Sequence, residues 1–372
     1  MKPRLLDAMG EALTLVRKSN LAEATALLRN ALSGAATRGA GDESEATRPP
    51  AEPAATPPAR RSLGGVLAAL RAGRAIWPKP ALAPAKAPPE ALDAQFMSRD
   101  YRGAAGSLNY RLYVPADLVK RDPALLLMLH GCTQNPEDFA LGTKMNALAD
   151  EFGLIVAYPR QPRSANASGC WNWFDKRHQH RGSGEPAKLA GLARSLAQEF
   201  GVGKERTFVA GLSAGGAMAE VLAATYPDVF DAVGIHSGLP YKAAGDVPSA
   251  FAAMKGTAIA EPAPQGVANG DCRRIVFHGG ADATVHPANS QRILDQARRG
   301  VDSPKQIDLN WEIDGRRVDR TVLQDASGRP LVELWSIEGG GHAWFGGDSR
   351  GTYTQSVGLD ASRAMVRFFL KH

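Results

Sequence analysis

The sequence predicts an α/β protein: a mostly parallel central sheet with helices on both faces, preceded by a helical extension and a Pro/Ala-rich linker. Three observations carry that expectation. From about Phe96, short apolar runs such as Leu125–Leu129 and Leu154–Tyr158 alternate with stretches of helical periodicity. The runs are apolar throughout, as in strands buried on both faces. Glycine-rich stretches holding Ser, Asp and His fall directly after strands, where open α/β sheets carry their sites.

The chain begins with different material. Leu5, Leu6, Met9, Leu13 and Val16 recur at helical spacing, and Leu21, Ala24, Leu27, Leu28, Ala31 and Leu32 do so again. Residues 1–34 therefore read as a helical hairpin, with Ser19 or Asn20 capping its second helix and Gly34 ending it. Such a pair is too small to fold well alone, so it is expected to dock on the main domain, a second copy or a partner. Residues 35–95 read as a linker, with ten prolines between Pro49 and Pro89. Within it, Arg61 to Trp77 has amphipathic character, suited either to an apolar surface or to packing on its own protein.

Residues 96–372 read as the catalytic domain. Expected strands are Leu108–Val114, Leu125–Leu129, Leu154–Tyr158, Thr207–Gly211, Ala232–His236, Ile275–His278 and Leu331–Ile337. Expected helices lie near 136–152, 186–200, 214–225, 288–299 and 360–370.

Charge and cysteine content narrow the function classes. The 372 residues carry a net charge of +6, but residues 1–96 hold 13 Lys/Arg against 9 Asp/Glu, leaving 31 against 29 for the rest. A nearly neutral main domain argues against a nucleic-acid groove. Cys132, Cys170 and Cys272 are too few for a disulfide framework and lack metal spacing. No run is long and apolar enough for a transmembrane helix. Asp7, Glu11, Arg17 and Lys18 interrupt the apolar stretch that a signal peptide needs, so the reading is a cytoplasmic protein without a signal peptide.

The first chemical motif is Gly211-Leu212-Ser213-Ala214-Gly215, between an apolar strand and a helix. This is the G-x-S-x-G turn of the α/β-hydrolase fold, which lifts a serine hydroxyl above the sheet. Ser213 is the expected nucleophile. Serine needs a base, and the base an orienting acid. His342, in Gly339-Gly340-Gly341-His342-Ala343-Trp344 after the last strand, fits the chain order Ser, Asp/Glu, His. Asp282 follows the strand Ile275–His278 and lies between the two in sequence, whereas Asp271 precedes that strand and Asp348 follows the histidine. His236, His278 and His286 are read as shaping the site or satisfying loop backbone groups. The turn His130-Gly131-Cys132-Thr133-Gln134 ends an early strand, so the backbone N–H groups of Cys132 and Ala214 are the expected oxyanion donors. No metal or cofactor is implied.

His130–Gln134, Cys170-Trp171-Asn172-Trp173-Phe174, Arg181-Gly182-Ser183-Gly184-Glu185-Pro186, Gly211–Gly215 and Gly340-Gly341-His342-Ala343-Trp344 together resemble the polyhydroxybutyrate depolymerase family of esterases, over roughly residues 96–370. The resemblance implies hydrolysis of ester bonds in short-chain polyhydroxyalkanoates or their oligomers. Similar enzymes cleave feruloyl and other aryl esters, and some attack poly(aspartic acid). Secreted members carry a signal peptide, a linker and a polymer-binding domain; the reading here lacks both signal and binding domain, which favours intracellular granules, oligomers or small esters. The resemblance also suggests that Cys132 and Cys170 approach each other, and free thiols are the expectation for a reducing compartment. Trp171, Trp173 and Phe174 are read either as core or, with Trp344, as an apolar wall for substrate. Rival readings are an amidase on the same triad, a carbohydrate-directed acetyl or feruloyl esterase, and a granule-surface protein acting through residues 1–96.

Overall fold

The computed structural model describes residues 96–118, 122–257, 272–299, 301, 303–356 and 358–371. The expected helical hairpin, the linker and its amphipathic piece lie outside the described residues.

Strands β1 (Phe96–Gly103), β2 (Gly106–Tyr113) and β3 (Ala124–Leu129) open the domain, followed by helices α1 (Pro136–Thr143) and α2 (Met145–Phe152). Then come β4 (Leu154–Pro159), α3 (Gly184–Phe200), β5 (Thr207–Leu212), α4 (Ala214–Thr225), β6 (Ala232–His236), α5 (Val247–Met254), β7 (Arg273–Gly279) and α6 (Ala288–Arg298). The chain ends through β8 (Lys305–Ile313), β9 (Arg316–Gln324), β10 (Pro330–Ile337), β11 (Trp344–Phe345), β12 (Thr354–Gln355) and α7 (Ala361–Leu370). Among the described residues ten strands form one sheet, ordered β1-β2-β4-β3-β5-β6-β7-β10-β9-β8.

The middle six strands, β4 to β10 in that order, run parallel, and antiparallel pairs close both sides. Strand β3 shows why apolar runs become central strands. Leu125, Leu127 and Leu129 enter the core on one face, Ala124, Leu126 and Met128 the core on the other, and all six are fully buried. Helix α4 packs on one side and α7, through Met365 and Phe369, on the other. This is the expected α/β-hydrolase architecture.

One expectation needs correction, and one element is additional to those expected. The helix expected over 136–152 is broken at Lys144, which takes a left-handed φ of 55°. The break has a tertiary cause: the Gly142 carbonyl accepts from Asp348 N (2.8 Å) and the Thr143 carbonyl from Ser362 Oγ (2.6 Å), so the last turn bonds to distant chain instead of continuing. The β8–β9 hairpin was also not foreseen. Its outer strand is an exposed sheet edge, with Ile307 and Leu309 at 41% and 43% exposure. No helix among the described residues is long and apolar enough to cross a membrane.

Candidate active site

Parallel strands aligned in register bring their carboxyl ends to one edge, and four loops there carry the residues singled out above. Ser213 follows β5 directly, at φ 57° and ψ −117°, a left-handed conformation that non-glycine residues adopt at a cost of about 1–3 kcal/mol. Its N–H is held by the His236 carbonyl at 2.8 Å, and helix α4 starts at the next residue. Only glycine fits at 211 and 215, because a Cβ at Gly215 would collide with the Leu129 carbonyl oxygen and one at Gly211 with the Gly215 backbone. The hydroxyl-bearing turn is thus wedged against β3, which ends in the His130–Gln134 loop.

Asp282 and His342 meet across the ends of β7 and β10. His342 Nδ1 lies 2.7 Å from Asp282 Oδ2, and the Asp282 side chain is wholly buried. Its other oxygen accepts from Thr284 N (2.9 Å) and Val285 N (2.8 Å). Burial alone would raise the Asp282 pKa. Hydrogen bonds from His278 and His342, the His342 charge and the Val285 N–H outweigh it and hold the carboxyl well below its ordinary range. The carboxylate is therefore ionised and aimed, leaving Nε2 of His342 as the ring atom open to other chemistry. No hydrogen bond within 3.5 Å links Ser213 Oγ to His342; such contacts commonly tighten only around substrate.

Two buried histidines brace this pair. His236 is fully buried; its Nε2 accepts from Phe345 N (3.2 Å), so Nδ1 carries the proton toward Ser237 Oγ (3.2 Å). Its ring stacks on Trp344 and Phe277 at centroid distances of 5.1 and 5.8 Å. Burial first, then the charges of His278 and His342, push its pKa well below the usual imidazole value. One residue thus joins the Ser213 turn, through its carbonyl, to the His342 loop, through its ring. His278 donates from Nε2 to the Val285 carbonyl (2.8 Å) and lies 3.5 Å from Asp282 Oδ2, tightening the turn that presents the acid. Both histidines bond loop backbone groups, His236 the Phe345 N–H and His278 the Val285 carbonyl, beside the Asp282–His342 pair.

The backbone N–H groups of Cys132 and Ala214 take no partner among the described residues. The surrounding loop is firmly held: Gly131 N donates to Gln134 Oε1 (2.9 Å), Thr133 N to Ser168 O (2.8 Å) and Trp171 Nε1 to His130 O (3.1 Å). Cys132 and Cys170 are joined by a disulfide, against the expectation of free thiols. The physical reason is proximity, since the same contacts that fix Trp171 and Ser168 bring the two Cα atoms to 4.2 Å. Cys272 alone is a free thiol, buried, its pKa pushed up to about 12 by burial.

The aromatic residues sort differently from the wall reading. Trp171, Trp173 and Trp344 are 0%, 5% and 1% exposed, so they have no surface to offer an acyl chain and belong to the core. Trp344 spends its indole N–H on Ser362 Oγ (2.9 Å). Phe174 is partly exposed and packs edge-on against Trp173. Sequence reasoning missed Glu185, whose buried carboxylate accepts from Gln161 Nε2 (2.6 Å), Asn172 N (2.7 Å) and Asn172 Nδ2 (2.6 Å) and so anchors the disulfide-bearing segment. It also missed Tyr353, beside the His342 ring. Among the described residues no cluster of three or more His, Cys, Asp or Glu side chains is arranged to hold a metal ion.

The family model for esterase PHB depolymerase matches residues 108–303, more than half of the chain. The chain is 34% identical over 248 residues to poly(3-hydroxyalkanoate) depolymerase C of Paucimonas lemoignei, covering 64% of this chain and 58% of that protein. It is 29% identical over 201 residues to acetylxylan esterase A of Talaromyces purpureogenus, covering 50% of this chain and 51% of that one. The chain thus spans little more than half the length of either relative. Among solved structures, an acetyl xylan esterase from Aspergillus awamori superposes with a TM-score of 0.55 at 22% identity, over 66% of this chain and 94% of its own, a likeness of fold.

Proposed function

The chain belongs to the esterase PHB depolymerase family, and on that footing we propose that it is a serine hydrolase of carboxylic esters, acting on short-chain polyhydroxyalkanoate polymer or oligomers. The observation that carries this reading is the buried, ionised Asp282 holding His342 Nδ1 at 2.7 Å, at the same sheet edge as the strained Ser213 turn.

In this mechanism Ser213 Oγ attacks the ester carbonyl carbon while His342 Nε2 takes its proton. Asp282 keeps the imidazole in the tautomer with Nδ1 protonated and stabilises the imidazolium that forms. The carbonyl oxygen, now anionic, is received by the Cys132 and Ala214 N–H groups, the latter at the positive end of the α4 dipole. His342 then protonates the departing alcohol, leaving an acyl group on Ser213. Water repeats the sequence to release the acid and restore the serine. The mechanism calls on no metal or cofactor.

The substrate assignment leans on the depolymerase relative at 34% identity. A second reading, an acyl ester carried by a carbohydrate, is favoured by the acetylxylan esterase relative. The sequence reading of a cytoplasmic protein meets an opposing observation: the Cys132–Cys170 bond speaks for an oxidising compartment, where such bonds persist.

The test is hydrolysis of p-nitrophenyl acyl esters, 3-hydroxybutyrate oligomers and acetylated xylan by wild type and by Ser213→Ala. Turnover of the oligomers, lost by a factor on the order of 10⁴ to 10⁶ in the variant with folding retained, is expected. Turnover of acetylated xylan alone would transfer the substrate to the second reading. Wild-type rates in Ser213→Ala would remove the serine assignment.

A further inference from the structure

Two loops of the site are far apart in sequence, and a short segment ties them together. Residues 348–355 form a strap. On one side β12 pairs with β11, the strand directly after His342: Trp344 N donates to Tyr353 O (2.7 Å) and Gly346 N to Gln355 O (2.8 Å). On the other side the strap bonds to the loop bearing Cys132. Thr352 N donates to Asp138 Oδ1 (2.9 Å), and Gln134 Nε2 donates to both Thr352 O and Asp138 Oδ2 at 3.0 Å. Gln134 is the residue whose Oε1 accepts from Gly131 N.

Tyr353 stands at the middle of this strap in a left-handed conformation, φ 53°. An aromatic residue is costly there, and the bonds on both flanks hold it in place. Its ring meets the His342 imidazole edge-on, with centroids 6.4 Å apart. Its hydroxyl reaches 3.2 Å from Thr133 Oγ1. Thr133 is itself left-handed (φ 67°), exposed, and adjacent to Cys132. The side chain therefore spans from the base to the oxyanion loop, half-buried along the rim of the site.

The geometry points to Tyr353 as a residue that selects the alcohol half of the ester, an inference resting on the triad reading above. His342 must hand its proton to the leaving oxygen, so the leaving alcohol lies against the imidazole. A ring set on that imidazole borders the alcohol, whereas the acyl portion extends away from it. The ring offers an apolar wall; its hydroxyl donates to Thr133 Oγ1, since the Thr133 proton goes to the Cys132 carbonyl, and that donor can turn to a substrate acceptor instead. The alcohol chemistry that suits both is a short hydroxy-acid unit, with an apolar methyl and a carbonyl acceptor near the ester oxygen.

The test uses two substrate series with wild type, Tyr353→Asn and Tyr353→Phe. Asparagine tolerates the left-handed backbone, which separates loss of the ring from loss of the strap. One series holds the acyl group at butyryl and varies the alcohol among methyl, p-nitrophenyl and methyl 3-hydroxybutyrate. The other holds p-nitrophenol and varies the acyl chain from acetyl to octanoyl. Tyr353→Asn is expected to lower kcat/KM for butyryl methyl-3-hydroxybutyrate by about tenfold or more relative to butyryl methyl ester, leaving the acyl-chain profile parallel to wild type. Tyr353→Phe is expected to lose about threefold to tenfold for the carbonyl-bearing alcohol alone. Unchanged alcohol preference in Tyr353→Asn, or a uniform fall across both series, would overturn the assignment. Wild type without turnover of any ester would instead strike the triad reading on which it rests.

Discussion

The two edges of the sheet use polar residues in opposite ways. At the amino ends of β6 and β7 the interior holds full charges. Arg274 pairs with Glu220 at 2.9 Å with both side chains under 5% exposed, and Arg273 pairs with Asp231 at 2.8 Å while donating to the Phe368 and Phe369 carbonyls. Those carbonyls end α7, where a cation is favoured. At the carboxyl edge the buried polar groups His130 and His236 are held neutral, and non-glycine residues sit at left-handed φ: Thr133, Ser213, Ser237 and Tyr353. Arginine–carboxylate pairs fix the frame; where chemistry is proposed, the ionised carboxylate of Asp282 is held by histidines and backbone N–H groups instead of by a cation of fixed charge. Substitutions at the two edges should therefore separate activity from stability.

The largest effect is expected from Asp282→Asn. It should cut kcat for p-nitrophenyl butyrate by about 10⁴-fold through loss of the required tautomer. Its melting temperature should change far less than the rate, and a rate within tenfold of wild type would dissolve the functional half of the contrast. On the opposite edge, Glu220→Ala leaves Arg274 buried without its carboxylate. A loss of about 3–5 kcal/mol in urea unfolding is expected, with kcat/KM of the folded protein retained.

Acid should act through the imidazoles. His130 accepts from Gln161 N, and burial lowers its pKa from 6.5 to about 4. Between those values the unfolded chain binds the proton that the folded one refuses, so stability is full above about pH 6.5 and is lost as pH falls toward 4. The loss amounts to about 3 kcal/mol. Urea melts at pH 7 and 4.5 measure it, and His130→Gln should shrink the difference by that share, leaving the part that the likewise depressed His236 contributes. The smallest effect belongs to the exposed amino-edge cluster, where Asp228 bonds Arg181 and Arg194 at 2.6 and 2.9 Å. Asp228→Asn should cost no more than about 1 kcal/mol, and less in 0.5 M salt. A larger loss would mean that exposed and buried pairs on this edge are equivalent.

Much of the frame was legible because buried parallel strands advertise themselves as unbroken apolar runs, as at Leu125–Leu129. Ser213, Asp282 and His342 were nameable because each follows such a run in a glycine-rich turn. The β8–β9 hairpin was not, since Lys305, Gln306, Asp308, Asn310 and Glu312 give its edge strand a polar look. Its turn, Asp314-Gly315, both residues at positive φ, was the signal available. Tyr353 and Glu185 escaped for another reason: each depends on a partner remote in the chain, Thr133 for the first and Gln161 for the second, which no local pattern encodes. The aromatic cluster shows the converse failure, since Trp171 and Trp344 look the same in sequence whether they line a site or support one.

The strap and the first turn of α7 bind residues 134–143 to residues 348–362, more than 200 positions later in the chain. Contacts so remote form late, because the entropy of closing the intervening loop must be met before they reward it. In chain order the Ser213 turn follows β3 and β5, whereas β6, whose His236 carbonyl holds the Ser213 N–H, and then His342 and the strap come later. On the triad reading, a chain folded only through β6 carries the proposed nucleophile with neither its base nor the brace on the Cys132 loop. On that reading hydrolytic competence is expected to arrive together with His342 and the strap rather than by degrees, which makes activity a late reporter of folding.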